Sequence, residues 1–201
     1  DVYKRQRYDL LAFLDADDWW RPQFLATIND LVSLYPQAGA YVTSYDMVEL
    51  SGRKRIAKTA GLDVNKTTGI IKDFFKSASL GDPPISASSV CLKKDTLQSV
   101  GGFPEGVDIA EDFDLWIRIA LDYDIAYSTF IGATYDRGAQ GRSCRLNLPG
   151  QDELSFLPII EKAIQEGRIQ KHSVFYAQEL IALHQYLNSI RFLLSNQRGK
   201  A

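Results

Sequence analysis

The chain has 201 residues, 45% of them hydrophobic, and a formal net charge of −2, so it is long enough to bury a full core. With this net charge, the chain as a whole has no electrostatic attraction to nucleic acid or to anionic membranes. Two cysteines without ligand spacing exclude a disulfide framework and indicate a reducing compartment, which we expect to be the cytoplasm. The apolar runs are far too short for a membrane-spanning helix.

The first six residues, Asp-Val-Tyr-Lys-Arg-Gln, match the end of a transposase adapter when they are back-translated. We expect residues 1–6 to be a non-native tail, and the alternative is an ordinary charged terminus. A buried strand follows almost at once, and a parallel strand buried on both faces needs neighbours. We therefore expect that the chain lacks an upstream part of its domain.

An acidic turn is the most informative feature. The apolar run 10–14 suits a strand buried on both faces, as in a parallel sheet. Asp15 and Asp17, separated by the small Ala16, fall at its carboxyl end, where open α/β sheets bind ligands. Both carboxylates can reach one hard divalent cation or its water shell. Pro22 marks the first turn of a helix, so the pattern is typical of a metal-diphosphate site.

Other interpretations of this turn exist. A solvated turn that merely caps the next helix is one of them, because Asp is favourable near a helix N-terminus. A calcium-binding loop fails, since Trp19 stands where an oxygen ligand is needed and Trp20 where glycine is needed. An aspartyl phosphatase also places Asp-x-Asp after a buried strand, but it normally has Thr or Val at the position of Trp19.

The segments that follow alternate between helical and strand-like patterns. They predict a helix over 22–35, a strand over 40–50, a basic hairpin partner over 53–58, a helix over 67–77, a strand over 85–92 and a short helix over 95–100.

A second acidic cluster opens another predicted helix after the loop 101–105. Glu111, Asp112 and Asp114 fall in its first turn, where helix-terminus charge alone would account for them. Glu111 and Asp112 are adjacent and point in different directions. One of the two can act as a general base while the other orients an acceptor or caps the helix.

The C-terminal part, 149–201, is predicted to be a helical extension of two helices separated near Gly167. Apolar residues at this spacing are mostly plain core, and a hairpin of this kind also suits subunit pairing or a membrane surface. His172 and His184 have no partnering acids at ligand spacing, so we expect them to be surface or half-buried residues rather than metal ligands.

Together the two motifs resemble the family 2 glycosyltransferases, whose nucleotide-sugar-binding fold is called GT-A. The pattern Asp-Ala-Asp-Asp-x-Trp-x-Pro is matched over 15–22. Gly-Gly-Phe is matched over 101–103, and Glu-Asp-x-Asp-Leu-Trp-x-Arg over 111–118. The resemblance covers 8–145. It implies an α/β fold: a partial, Rossmann-like GT-A domain over 7–148 with a mostly parallel sheet, without its N-terminal nucleotide-binding strands.

The resemblance also implies residue roles. Asp17 would be the more direct ligand of Mn²⁺ or Mg²⁺, with Asp15 nearer the ribose or the metal's water. Asp112 would be the catalytic base of a single displacement that inverts the anomeric configuration. The implied donor-binding residues are Asp15, Ala16 and Asp17, and the implied acceptor-binding residues are Glu111 and Trp116.

Two features depart from the family pattern. The N-terminal strand and its Pro-Thr-Tyr-Asn-like turn, which grips the nucleotide base, have no counterpart in this chain. A Tyr-Arg-x-His-like segment corresponds to 135–138, where Gly138 replaces the His that touches metal or diphosphate. Arg137, Arg142 and Arg145 are alternative sources of positive charge toward a diphosphate, and a basic surface loop is the other explanation.

The implied function is transfer of a sugar from a nucleotide-diphosphate donor to a saccharide or lipid-linked acceptor. We expect the parent protein to serve bacterial surface-polysaccharide synthesis, with no nucleic-acid partner and with peripheral association at the inner face of the plasma membrane. We expect the fragment alone to be inactive. A non-catalytic glycosyltransferase-like binding module and, less favoured, a phosphohydrolase with Asp15 as nucleophile remain alternatives. The proposed chemistry requires Asp17 and Asp112 to face one cleft at the carboxyl edge of the sheet.

Overall fold

The computed structural model describes residues 7–63, 65–107, 109–139 and 154–198, and the α/β class is confirmed. The strands are β1 (Leu10–Ala12), β2 (Trp19–Trp20), β3 (Ala40–Val48), β4 (Lys54–Ile56), β5 (Thr68–Ile70), β6 (Val90–Lys93) and β7 (Ile125–Asp136). The helices are α1 (Phe24–Leu34), α2 (Phe74–Ser79), α3 (Lys94–Ser99), α4 (Glu111–Asp122), α5 (Phe156–Gln165) and α6 (Lys171–Arg198). A 3₁₀ turn, Ala87–Ser89, precedes β6.

The strands form one mixed sheet in the order β1-β6-β3-β7-β2, to which β4 adds beside β3 and β5 beside β7. This corrects the expectation of a mostly parallel sheet. In the described part of the chain β3 and β7 are parallel and the other pairs are antiparallel, because β6 runs against both β1 and β3. It follows that β1, β3 and β7 share one direction. The carboxyl ends of β3 and β7, where Val48 pairs with Asp136, form the end of the sheet that is here called the site edge. The shorter β1 ends level with Tyr41 and Ala126, and the chain after it continues toward the site edge.

Two local expectations are also corrected. The strand before the acidic turn was expected to be buried on both faces, but β1 ends the strand order among the described residues and Ala12 is exposed. The helix expected over 67–77 begins only after Asp73, whose carboxylate accepts the Lys76 N–H at 2.9 Å as an N-cap. The residues before it form β5, because they pair with β7. Tertiary pairing outweighs the helical spacing there.

Helices cover both faces of the sheet. On one face, α1 packs Phe24, Ile28 and Leu31 against Tyr41 and Ala126. The other face carries α4, α5 and α6 in one continuous cluster. Its helical members include Leu115, Trp116, Ile119, Phe156, Ile160 and Leu180. The C-terminal helices therefore contribute to the core. No helix in the described ranges has the length and hydropathy to cross a membrane.

Candidate active site

The acidic turn lies at the site edge, directly after β1. The Asp18 N–H donates to the Asp15 carbonyl at 3.1 Å and closes the turn. The Asp15 N–H donates to Ser88 Oγ at 3.0 Å, so the 3₁₀ turn before β6 holds the acidic turn in place. Asp15 and Ala16 are exposed and Asp17 is half-buried. The two carboxylates that the sequence singled out are thus presented at the surface, where a ligand can reach them.

Asp18 has a different role from its neighbours. Its side chain is buried, and Oδ1 accepts the Asp136 N–H at 2.9 Å, which ties the turn to the end of β7. Burial raises the pKa of Asp18; hydrogen bonding with Ser88 and Asp136 opposes the rise, and the charges of Asp15 and Asp17 add to it. Asp18 therefore positions the turn. The sequence analysis did not predict this role. A signal for it was present, because one cation does not require all three of the acids within these four positions.

The second acidic cluster lies at the start of α4. Ala110, just before the helix, has φ 58°, a left-handed conformation that is uncommon for a residue other than glycine. The half-buried carboxylate of Asp112 follows at the positive end of the helix dipole, and its Oδ1 accepts the Phe113 N–H at 2.7 Å. Burial raises the pKa of Asp112, while backbone N–H groups and the Trp116 indole oppose the shift. A carboxylate with a raised pKa is a stronger base.

Aromatic rings link the two acidic segments. Two residues, Tyr123 and Asp124, separate α4 from β7, so α4 ends beside the start of β7. Edge-to-face ring contacts join Phe13, beside the acidic turn, to Phe103 at 5.6 Å, and Phe103 to Trp116 of α4 at 6.4 Å. Phe103 therefore connects Phe13, shortly before the acidic turn, to Trp116, one turn along α4 from Asp112.

Tyr45 is a buried residue of β3. Burial raises the pKa of Tyr45, and the Asp112 charge is among the smaller causes. The Tyr45 hydroxyl donates to the Pro83 carbonyl at 2.8 Å.

Asp15 and Asp17 fit the metal that the resemblance implies. Mg²⁺ and Mn²⁺ prefer oxygen ligands and are commonly bound by one or two carboxylates together with phosphates and water. No group of three or more His, Cys, Asp or Glu side chains suited to a metal occurs among the described residues. A pair of carboxylates on one exposed turn therefore suits a cation that arrives with a phosphate-bearing ligand, and it does not form a closed cage.

Part of the positive charge near the site edge is paired with acidic side chains. Arg137 Nη1 lies 3.1 Å from Glu49 Oε2, so its charge is partly neutralised. Gly138 donates its N–H to Asp136 Oδ1 at 2.7 Å, and that oxygen would lie 3.1 Å from a Cβ built at this glycine. Arg142 and Arg145, the other predicted sources of charge, lie outside the described residues.

The two residues expected at the acceptor differ in accessibility. Glu111 is half-buried at the first position of α4, whereas Trp116 is 1% exposed and packs on Phe103. The enclosed ring favours a packing role for Trp116 over the direct acceptor contact that the resemblance implies, and its Nε1 has no hydrogen-bond partner among the described residues. The acceptor roles of both residues remain predictions.

Replacing Ser88 with alanine tests how the acidic turn is held. The change leaves the Asp15 N–H without its partner, and we expect it to lower the free energy of unfolding by about 1 kcal/mol. Urea denaturation followed by circular dichroism measures the loss. Ser33→Ala removes an exposed hydroxyl on α1 and serves as the control. Equal stability of Ser88→Ala and the unchanged protein would show that this bond does not hold the turn.

The comparisons with known proteins concern the fold. No protein-family model matches the chain, and no curated protein matches it. Among solved structures, S. aureus TarS is similar with a TM-score of 0.53 and 13% identity, over 89% of this chain and 28% of TarS. The fold is that of a GT-A-like glycosyltransferase.

This chain spans only 28% of the length of TarS. A second structure, GalNAc-T7 with UDP, GalNAc and Mn²⁺, has a TM-score of 0.47 and 14% identity, over 70% of this chain and 30% of that one. Such a TM-score supports no conclusion about this chain. At these identities, fold likeness alone assigns no activity, which has to be argued from the site.

Proposed function

We propose that the parent protein of this chain is a family 2-type, inverting, metal-dependent glycosyltransferase. It transfers a sugar from a nucleoside diphosphate to a saccharide or lipid-linked acceptor in bacterial surface-polysaccharide synthesis, on the cytoplasmic side of the membrane. The observation that supports it is the series of ring contacts Phe13–Phe103–Trp116, which connects the strand before the acidic turn to the helix that carries Asp112 in a GT-A-like fold. The bacterial setting and the cytoplasmic location rest on the motif resemblance alone.

The acidic turn binds the donor in this proposal. Asp17 and Asp15 would hold the cation and orient the donor, with Asp15 nearer the ribose. When bound, Mn²⁺ or Mg²⁺ supplies positive charge beside the leaving diphosphate. Ser88 and Asp18 fix the turn through backbone hydrogen bonds, so the two carboxylates need little reorganisation when the donor binds.

Asp112 is the proposed general base. Its carboxylate takes the proton of an acceptor hydroxyl, whose oxygen forms a bond to the anomeric carbon from the face opposite the diphosphate. The bond from that carbon to the diphosphate oxygen breaks, and its electron pair leaves with the nucleoside diphosphate. A single displacement of this kind inverts the configuration. The raised pKa of Asp112 favours proton transfer to it.

The test is an activity screen of the parent protein with Mn²⁺ and a panel of nucleotide-diphosphate sugars. We expect donor hydrolysis or sugar transfer that is lost in EDTA and in Asp17→Asn, and inverted product on NMR analysis of the anomeric proton. Binding of a glycan without turnover would indicate a non-catalytic module instead. Release of phosphate from simple phosphoesters, abolished by Asp15→Asn, would indicate a phosphohydrolase.

A further inference from the structure

The hairpin between β3 and β4 exposes apolar and basic side chains together at the site edge. Leu50 is 69% exposed, Ile56 58% and Trp19, on the neighbouring β2, 38%. Three exposed cations lie among them. We call this surface the hairpin patch; its members are Trp19, Leu50, Arg53, Lys54, Ile56 and Lys58.

The sheet register places the centre of the hairpin patch on one face. Trp19 pairs with Thr134, Thr134 with Asp46, and Asp46 with Ile56. Residues directly opposite each other across a sheet project from the same face, so Trp19 and Ile56 point the same way. Lys54, two residues before Ile56, projects from that face as well, and its Nζ lies 5.4 Å from the centre of the Trp19 ring.

The acids around the hairpin are already paired. Asp46 accepts from Arg21 at 2.7 Å, and Arg55 binds Glu49 at 2.8 Å and Asp82 at 2.5 Å. Arg53, Lys54 and Lys58 are therefore the exposed charges of the hairpin itself, while Asp15 and Asp17 lie beyond Trp19 at the same site edge; the chain as a whole carries −2. The hairpin patch is thus positively charged although the chain has a net negative charge. The net charge alone predicted no attraction to anionic membranes.

We propose that the hairpin patch docks this protein onto an anionic lipid bilayer. Cations near such a surface are attracted to its lipid headgroups, and exposed aliphatic and indole side chains gain by entering the interfacial region. A soluble polyanion would engage the cations but would leave Leu50 and Ile56 in water. The mixture of large apolar and basic side chains in one patch, with Trp19, Lys54 and Ile56 on one face of the sheet, therefore favours a bilayer.

The position of the patch adds a consequence for the site. The hairpin begins where β3 ends, so docking would turn the site edge toward the lipid surface. An acceptor carried by a lipid would then meet the acidic segments without leaving the membrane. Only this consequence rests on the proposed function, since docking itself needs neither donor nor metal.

Vesicle co-sedimentation tests the proposal. We expect the chain to bind vesicles containing about one third phosphatidylglycerol, to bind pure phosphatidylcholine far less, and to dissociate as salt rises. Arg53→Ala/Lys54→Ala should weaken binding about 25-fold, at about five-fold per cation removed. Leu50→Ser/Ile56→Ser should weaken it as well. Leu34→Ser/Lys162→Ala is a matched control, because Leu34 is 60% exposed and the Lys162 side chain 74%; it should bind normally.

Quenching by brominated lipid distinguishes a membrane from a soluble polyanion. Of the three tryptophans, Trp19 is 38% exposed, Trp20 is half-buried against Phe24 and Trp116 is 1% exposed, so the quenching that is lost in Trp19→Phe reports Trp19. Binding to polyphosphate as tight as to anionic vesicles, without quenching, would overturn the proposal in favour of a polyanion site. Equal binding by the hairpin variants and the control would also overturn it. Neither result bears on glycosyl transfer.

Discussion

Replacement of Asp112 with asparagine is expected to lower kcat for sugar transfer by about 10²–10⁴-fold, the usual contribution of a general base. The amide keeps an oxygen that can accept the Phe113 N–H, so the start of α4 should remain intact. It cannot take a proton from the acceptor. Because Asp15 and Asp17 are untouched, KM for the donor should change little. Steady-state kinetics of the parent protein with its identified donor measures both quantities.

The pH dependence of the same variant adds a second readout. Burial raises the pKa of Asp112, so kcat/KM of the unmodified enzyme should fall as pH falls through that raised value. The pKa of Asp112 is higher in the folded protein than in the unfolded chain. The protonated group therefore adds its full stability at pH below the unfolded pKa, and this stability is lost as pH rises through the folded pKa. At neutral pH the buried charge therefore opposes folding, and Asp112→Asn should melt at a higher temperature.

The control for both readouts is Asp30→Asn, which changes an exposed carboxylate on α1. It should leave kcat and melting temperature unchanged. If Asp112→Asn kept most of the transfer rate, the base would have to be another group. If it also melted at the same temperature as the unmodified protein, the carboxylate would not be desolvated as the structure indicates.

Replacement of Asp114 with alanine should destabilise the fold by about 3–5 kcal/mol, as expected when one partner of a buried ion pair is removed. Asp114 is 3% exposed, and its Oδ1 accepts from Arg118 Nη2 at 2.6 Å. Its Oδ2 accepts from Ser155, ahead of α5, at 2.7 Å. Arg118 also donates to the carbonyls of Val100 and Gly102. Loss of Asp114 therefore leaves a half-buried cation and loosens two loops.

Urea denaturation measures this loss, and Asp122→Ala on the same helix is the matched control. Asp122 pairs with Arg168 at 2.6 Å, but both side chains are about half exposed. Exposed pairs of this kind contribute at most about 1 kcal/mol. If both variants lowered the free energy of unfolding by similar amounts, the Asp114–Arg118 pair would not be what holds α4, α5 and the 100–102 loop together.

Local patterns predicted much of the fold. The apolar spacing in α1 and α4 sets which faces are buried, and the run before Asp15 forms a strand. Strand direction was not predictable in the same way, because β6 carries no local signal that it runs against β1 and β3. The Thr68–Ile70 segment has helical spacing yet pairs with β7. Its conformation depends on a partner almost sixty residues away along the chain.

In the candidate site, too, local features were predictable from the sequence and long-range contacts were not. Asp15, Asp17 and Asp112 were singled out because each motif is local, and their roles, which the family resemblance implies, remain predictions. Ser88 lies 73 residues from the turn that it holds, and only the fold reveals that contact. Asp114 was taken for one of several helix-terminus charges. The buried carboxylate of Asp114 is paired with Arg118. The i,i+4 spacing suggests this pair, but the sequence alone does not show that the pair is buried.

The contacts of the acidic turn also have a consequence for biosynthesis. Asp15 and Asp18 lie near the start of the described chain, yet their partners follow 73 and 118 residues later. Contacts between such distant segments raise contact order and slow folding. A ribosome must therefore complete β7 before Asp15 and Asp18 reach their final positions. Until then, the acidic segment lacks the hydrogen bonds that fix it in the folded protein.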